Sequence, residues 1–161
     1  MDYKIRYARL EDLSRIERIY SLARQFMAEH GNPTQWGNSY PEQKMLLDDI
    51  QKQLLYVMTQ RDEIHGVFYF YIGKDPTYTN IYDGTWRSET TYGTIHRIAG
   101  DGSGGILRDA VAYCRSLCNH LRIDTHADNY VMQKAIVKQG FSQRGIVYME
   151  DGTPRIAYDL I

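Results

Sequence analysis

The chain has 161 residues, which is the usual size of one domain and too short for two well-packed ones. With 43% apolar and 24% charged residues, its composition is that of a globular protein and excludes a disordered one. The net charge of −1 gives no basic excess for nucleic acid or an anionic membrane, and no apolar run approaches the ~18 residues that span a bilayer. The charged amino-terminal segment is unlike a signal peptide, so we expect a cytoplasmic protein.

Hydrophobic periodicity predicts the elements of the first half of the chain. A short alternating strand is followed by a long amphipathic helix that ends at Gly31, and then by a second helix. Two strands come next, and the charged turn at 61–63 makes them antiparallel neighbours. The aromatic strand 64–72 is expected at the centre of the sheet. The irregular segment 73–90 is long for a compact domain, and such segments are typically functional or mobile.

Strands and helices alternate in the second half. Strand 92–99 runs into a glycine-rich turn and then into an amphipathic helix, and the turn 150–153 joins the last two strands. The predicted strands are 3–7, 54–59, 64–72, 92–99, 121–125, 141–149 and 155–160. The predicted helices are 11–30, 39–52, one that begins after Gly105, and 129–139. The order β-α-α-β-β-β-α-β-α-β-β predicts a single α/β domain over residues 1–161, built on a mixed sheet.

The glycine-rich turn at residues 100–105 is the most informative segment. Its four glycines allow positive φ and close approach of the backbone to a ligand, and the helix that follows directs unpaired amides and its positive dipole end at the turn. These features favour a phosphate site, with a merely flexible connection as the alternative. Gly105 is followed by Ile106 and Leu107, so the lysine of a P-loop is absent. Only one parallel crossover follows, which disfavours a dinucleotide-binding fold.

Five segments form one pattern: the strand IHRIA, the glycine turn, the helix ILRDAVAYC, the strand LRIDTHADN and the helix end KQGF. With this pattern the chain resembles the GNAT superfamily of acetyl-CoA-dependent N-acetyltransferases, over its whole length in element order and most specifically from Ile95 to Phe141. The resemblance implies a GNAT-like fold and transfer of acetyl from acetyl-CoA to a primary amine of a small molecule or protein, by direct attack in a ternary complex. It also implies that the strand backbone holds the pantetheine arm and that the turn holds the pyrophosphate. The expected cofactor-binding residues are Ile98, Ala99, Gly100, Gly102, Ser103, Gly104, Gly105, Ile106 and Asn129.

The sequence departs from the family pattern in two places. The family's phosphate turn opens with Gln or Arg, and Arg97 lies too early to be that residue. Many members carry a tyrosine seven residues after the asparagine, as a general acid for the departing thiolate, and that position is Ile136 here. The second departure motivates an alternative, a non-catalytic acyl-CoA-binding sensor. A nucleotide-binding module unrelated to CoA is a third hypothesis.

Candidate catalytic residues follow from the need to remove a proton from the attacking amine. His96 lies on the strand beside the expected thioester, and Glu89 lies just before that strand. His126 shares a strand face with Asp124, which could orient it. Tyr148 is a candidate for the missing acid, as is Tyr130. Each of these side chains also has a purely structural interpretation, as a packed or solvated polar group.

The remaining signals concern cysteines and partners. Cys114 and Cys118 are predicted as reduced, packed thiols, and we expect no metal site. The expected partners are acetyl-CoA and an amine acceptor, with no nucleic acid and no membrane. The sequence leaves the question of a homodimer open. The loops determine which acceptor binds, and loops carry little signal that transfers between proteins.

Overall fold

The structure is a computed structural model that describes residues 2–161. Seven strands and four helices follow one another along the chain in the predicted order. The strands are β1 (Lys4–Tyr7), β2 (Leu55–Gln60), β3 (Glu63–Ile72), β4 (Gly93–Gly100), β5 (Leu121–Thr125), β6 (Ser142–Tyr148) and β7 (Pro154–Leu160). The helices are α1 (Leu13–Glu29), α2 (Gln43–Gln51), α3 (Ile106–Leu117) and α4 (Tyr130–Lys138).

The strands form one mixed sheet in the order β1-β2-β3-β4-β5-β7-β6. Every neighbouring pair is antiparallel except β4 and β5, which are parallel and are connected through α3. The predicted α/β fold with a mixed sheet is therefore confirmed, including the central places of β3 and β4. The sheet opens at this parallel pair, between β4 and β5.

Helices cover both faces of the sheet, and each face has its own hydrophobic core. On one face α1 and α2 bury Ile19 and Leu46 against β2 and β3. On the other face α3 and α4 bury Cys114 and Ile136 against the opposite side chains of the same strands. Successive side chains of β3 point to opposite faces of the sheet, so Val67 belongs to the first core and Phe68 to the second. No helix within residues 2–161 combines the length and apolar character needed to cross a membrane.

Candidate active site

The sheet opens between β4 and β5 into a cleft. The two strands are paired only at Gly93 with Leu121 and at Thr94 with Arg122, so they separate before Ile98 and Ile123, as the sequence predicts. The cleft has a volume of about 610 Å³. The residues of β4 and β5 that line it are Ile95, His96, Arg97, Ile98, Ile123, Asp124 and Thr125. Backbone groups of β4 on this side are thus left without a strand partner.

A bulge on β4 widens the opening. Arg97 and Ile98 together lie opposite one residue of β3, and Arg97 has a φ of 50°, which is unusual for a residue other than glycine. Two contacts hold this conformation: the hydroxyl of Tyr20 donates to the Arg97 carbonyl at 2.7 Å, and the Arg97 guanidinium pairs with Asp49 of α2. The bulge bends the β4 edge toward the cleft.

The glycine-rich turn ends β4 and begins α3. Gly102, Gly104 and Gly105 have φ values of 95°, 82° and 76°. A Cβ at Gly104 would meet no atom within 4 Å, so the requirement for glycine there is the backbone conformation itself. Gly105 is the N-cap of α3 and supplies no capping side chain. Within residues 2–161, the N–H groups of residues 104–107 donate to no protein oxygen, which leaves them free for an anion.

The amino-terminal segment fixes the orientation of this turn. The hydroxyl of Tyr3 donates to the carbonyl of Gly104 at 2.6 Å. Because the peptide is trans, the N–H of Gly105 points the opposite way. The backbone N–H groups of Asp2 and Tyr3 donate to Asp109 Oδ2 at 2.8 and 3.1 Å, which ties the start of the chain to the first turn of α3.

Asp101 lies inside a polar cluster at the base of the turn. Its Oδ2 is 2.7 Å from His65 Nδ1 and 3.1 Å from Arg15 Nη2, and its Oδ1 accepts from the backbone N–H of Ser103 at 3.0 Å. Burial alone would raise the pKa of Asp101, but the hydrogen bonds from Ser103 and His65 outweigh it and hold the pKa below its usual range. The carboxylate therefore organises the turn, and two basic side chains offset its charge.

Asn129 and Ile136 occupy the two positions of α4 that the family resemblance singles out. Asn129 lines the cleft, where its Oδ1 caps α4 by accepting from the N–H of Met132 at 3.1 Å and its Nδ2 donates to Gln35 at 3.0 Å. Ile136 is fully buried in the core under α4. No hydroxyl reaches the cleft from that position.

His96 is the predicted catalytic residue that the structure places in the cleft. Its Nε2 is 2.8 Å from Asp75 Oδ2, and its Nδ1 is 3.8 Å from Asp124 Oδ2. The hydroxyl of Tyr78 donates to the same oxygen of Asp124 at 2.6 Å. Sequence reasoning missed Asp75, which lies in the irregular segment after β3. The one available signal was Asp75 directly before Pro76, a pattern typical of a helix start.

The other three candidates lie outside the lining of the cleft. Glu89 is exposed and precedes β4, at the end of that strand opposite the opening. His126 follows the end of β5, so strand alternation no longer applies, and its Nδ1 is 3.7 Å from Asp128 rather than beside Asp124. Tyr148 is half exposed on β6. Tyr130, the further candidate, is also exposed.

Comparison with solved structures shows which known fold the chain shares. The chain superposes on a GNAT-family acetyltransferase from Streptococcus agalactiae with a TM-score of 0.87 and 27% sequence identity, over 99% of this chain and 95% of the other. The chain has the fold of the GNAT superfamily. No family model and no curated protein matches the sequence, so the assignment rests on structure.

Two more distant acetyltransferase structures share the fold. A GNAT-family acetyltransferase from Listeria monocytogenes superposes with a TM-score of 0.70 at 16% identity, over 98% of this chain and 93% of the other. The protein yncA of Salmonella typhimurium, solved with its cofactor acetyl-CoA, superposes with a TM-score of 0.60 at 15% identity, over 99% of this chain and 94% of the other. At these identities the likeness concerns the fold.

Proposed function

We propose that this GNAT-fold protein transfers an acetyl group from acetyl-CoA to a primary amine by direct attack in a ternary complex. The observation that carries the proposal is the opening between β4 and β5 together with the turn of free N–H groups that follows β4 at the start of α3. A diphosphate fits that turn, and an extended pantetheine arm fits the unpaired edge of β4. The acetyl-CoA bound to yncA supports the same ligand for this chain.

The residues assigned to acetyl-CoA are those named by the resemblance. Backbone groups of Ile98 and Ala99 hold the arm, and the turn from Gly100 to Ile106 holds the pyrophosphate. Asn129 supports the cofactor side of the cleft through the cap of α4. A thioester carbonyl beside the bulge at Arg97 would meet backbone N–H groups, which is how the charge of a tetrahedral intermediate is stabilised.

His96 is the proposed general base. It lies on the cleft wall with its side chain 20% exposed, and Asp75 holds one of its ring nitrogens. A neutral imidazole in this position removes a proton from an incoming amine, and the amine then attacks the thioester carbon. The carbon–sulfur bond breaks and CoA leaves as the thiolate, with no family tyrosine at Ile136 to protonate it.

The test combines binding and turnover. Isothermal titration with CoA, ATP and NAD should show binding of CoA alone, and a thiol-release assay should show turnover that depends on an added amine. His96→Gln should lower turnover about a hundredfold while CoA affinity stays unchanged, because a positioned base contributes 10²–10⁴. The exposed His30 gives the matched control, His30→Gln. Binding of ATP or NAD in place of CoA contradicts the proposal.

The buried Ile136 favours one alternative function, the acyl-CoA-binding sensor. In that case the protein binds CoA with the same turn and releases no thiol with any amine. The same assay therefore separates the two, since tight CoA binding without turnover across an amine panel supports the sensor.

A further inference from the structure

His96 lies between two carboxylates that come from different parts of the chain. Asp75 follows β3, and Asp124 lies on β5. The side chains of Asp75 and Asp124 are only 9% and 8% exposed, so water screens the three groups poorly. The two carboxylates differ in how they contact the ring, and that difference carries the inference.

Asp75 fixes the orientation and the protonation of the imidazole. Its backbone N–H donates to the hydroxyl of Tyr92 at 2.7 Å, and its Oδ1 accepts from the N–H of Thr77 at 2.9 Å, so the carboxylate cannot turn away. Burial alone would raise the pKa of Asp75, but the hydrogen bonds from His96 and Thr77 outweigh it and lower the pKa. An ionised carboxylate only accepts, so Nε2 of His96 carries a hydrogen, and in the neutral imidazole the lone pair is then on Nδ1.

Asp124 faces that lone pair across a gap. Burial, and then the charge of Asp124, raise the pKa of Tyr78 far above its usual value, so the Tyr78 hydroxyl stays protonated and donates to Oδ2. The 3.8 Å between His96 Nδ1 and Asp124 Oδ2 is too long for a hydrogen bond, and both atoms are acceptors. One nitrogen lying about 2.9 Å from each would bridge them. Within residues 2–161, Asp124 Oδ1 accepts no hydrogen bond either.

The carboxylates of Asp75 and Asp124 are the charged groups in contact with the ring. Arg97 follows His96 on β4, but its guanidinium pairs with Asp49 and covers the ring of Tyr69 at 4.6 Å. Arg155 also lines the cleft and keeps its positive charge; it donates to Thr153 and to backbone oxygens, and its charge acts on Asp151. Two exposed carboxylates line the β6–β7 end of the cleft, those of Glu150 and Asp151. The apolar lining on the α1–α2 side consists of Met27, Trp36, Tyr40 and Met45.

We infer that His96, Asp75 and Asp124 form a binding site for an ammonium group, and that the acceptor is an alkyl or arylalkyl primary amine without a carboxylate. The inference rests on the proposed function and names its substrate class. Asp124 is the counter-ion of the ammonium, and Asp75 is a positioning residue that acts through His96. A carboxylate next to the amine would lie among carboxylates whose charge repels it.

The proton balance follows from this arrangement. The ammonium gives one proton to His96 Nδ1, and the freed lone pair forms the bond between nitrogen and the thioester carbon. The carbon–sulfur bond breaks and its electron pair leaves on sulfur. The second proton of the amine goes to that thiolate, giving CoA thiol and the amide, and the proton on His96 passes to solvent.

The first experiment compares amines with the amino acids from which they differ by one carboxylate. Thiol release is measured with tyramine against tyrosine and with cadaverine against lysine. We expect kcat/KM to be about tenfold or more higher for each amine, since a poorly screened charge pair discriminates at this level. Equal or higher kcat/KM for the amino acids overturns the inference but leaves the proposed function intact.

The second experiment separates the two carboxylates. Asp124→Asn still accepts from Tyr78, and it should raise the KM for tyramine about tenfold with the KM for acetyl-CoA within about twofold of wild type. Asp75→Asn should lower kcat about a hundredfold or more, because an amide N–H facing Nε2 favours the wrong tautomer. Nitrogen-15 NMR of His96 should report Nε2–H in wild type and a changed tautomer in Asp75→Asn. Asp83→Asn, on an exposed part of the same segment, is the control.

The outcomes distinguish the inference from the function on which it rests. Thiol release from tyramine that neither variant changes overturns the ammonium site while acetyl transfer stands. If wild type releases no thiol with any amine, acetyl transfer fails, and calorimetry of tyramine with the CoA-saturated protein decides the site. Binding that Asp124→Asn weakens about tenfold supports it, and absence of binding overturns it.

Discussion

The glycine turn after β4 and the histidine cluster in the cleft are built from different parts of the polypeptide. The loop half, residues 100–107, offers backbone N–H groups. They are available because the glycines adopt positive φ and because the first N–H groups of α3 have no partner within the helix. The histidine half, His96 with Asp75, Tyr78 and Asp124, offers side chains from three separate segments. Backbone recognition is therefore local in sequence, whereas side-chain recognition here depends on the tertiary fold. The predictions below test whether the halves act as separately as this construction implies.

The largest expected effect is on the loop half. Gly104→Val places a β-branched residue at a φ of 82° and should reorient the free N–H groups. Losing two charge-assisted hydrogen bonds corresponds to a roughly hundredfold loss of CoA affinity. Isothermal titration measures this. Gly31→Val is the matched control, since Gly31 has a φ of 81° and equally open surroundings. Wild-type CoA affinity in a folded Gly104→Val protein would show that the turn binds no phosphate.

The second prediction asks whether the missing acid can be restored at the family position. Ile136→Tyr should destabilise the protein by about 1–3 kcal/mol, because the site is fully buried and already filled. Ile136→Val, which only removes volume, should cost about 0.5–1.5 kcal/mol. Urea unfolding followed by circular dichroism gives both values. An increase in thiol release without loss of stability contradicts the prediction.

The third prediction concerns the hydroxyl that orients the turn. Tyr3→Phe removes the hydrogen bond to Gly104 and should weaken CoA binding about fivefold, the equivalent of about 1 kcal/mol. The KM for the amine should stay unchanged, because the histidine half does not contact Tyr3. Tyr7→Phe, at the exposed end of β1, the strand that follows Tyr3, serves as the control. If both variants weaken CoA binding equally, Tyr3 acts by stabilising β1 and not through its hydrogen bond to Gly104.

The smallest effect is a pH dependence of stability at Asp109, in the first turn of the helix that follows the loop half. Burial opposes ionisation of Asp109, but the hydrogen bonds of Arg108 and of the backbone at Tyr3 and Asp2 lower its pKa. A lowered folded-state pKa contributes stability above the unfolded value of about 3.9, and that stability is lost as the pH falls through the folded pKa. Urea unfolding at pH 7 and pH 3 should show this loss. In Asp109→Asn the pH dependence should be shallower, and an unchanged dependence contradicts the assignment.

The sequence predicted the fold and the loop half because both depend on local signals. Periodicity identified each strand and helix to within a few residues, and four glycines before a helix marked the turn at Gly104. The separation of β4 from β5 near Ile98 followed from a parallel pair at the centre of the sheet. These features depend on hydrophobic periodicity and backbone stereochemistry, which neighbouring residues determine.

The histidine half was only partly predictable. His96 was a candidate because it lies on β4, but its partner Asp75 lies 21 residues earlier in a segment without periodicity. The predicted pair of Asp124 with His126 did not form, because β5 ends before His126 and Asp124 accepts from Tyr78 instead. The bulge at Arg97 also has no local signal, since Tyr20 and Asp49 hold it from two other helices.

The tie between Tyr3 and the glycine turn has a consequence for local unfolding. The N–H of Tyr3 and its acceptor Asp109 are separated by 106 residues, so opening of the segment that leads into β1 breaks a hydrogen bond to the first turn of α3. A ligand that binds the turn therefore stabilises β1 against opening, in proportion to its concentration over its Kd. Amide hydrogen exchange at Tyr3 thus reports occupancy of a site formed more than half the chain away, and CoA should slow that exchange.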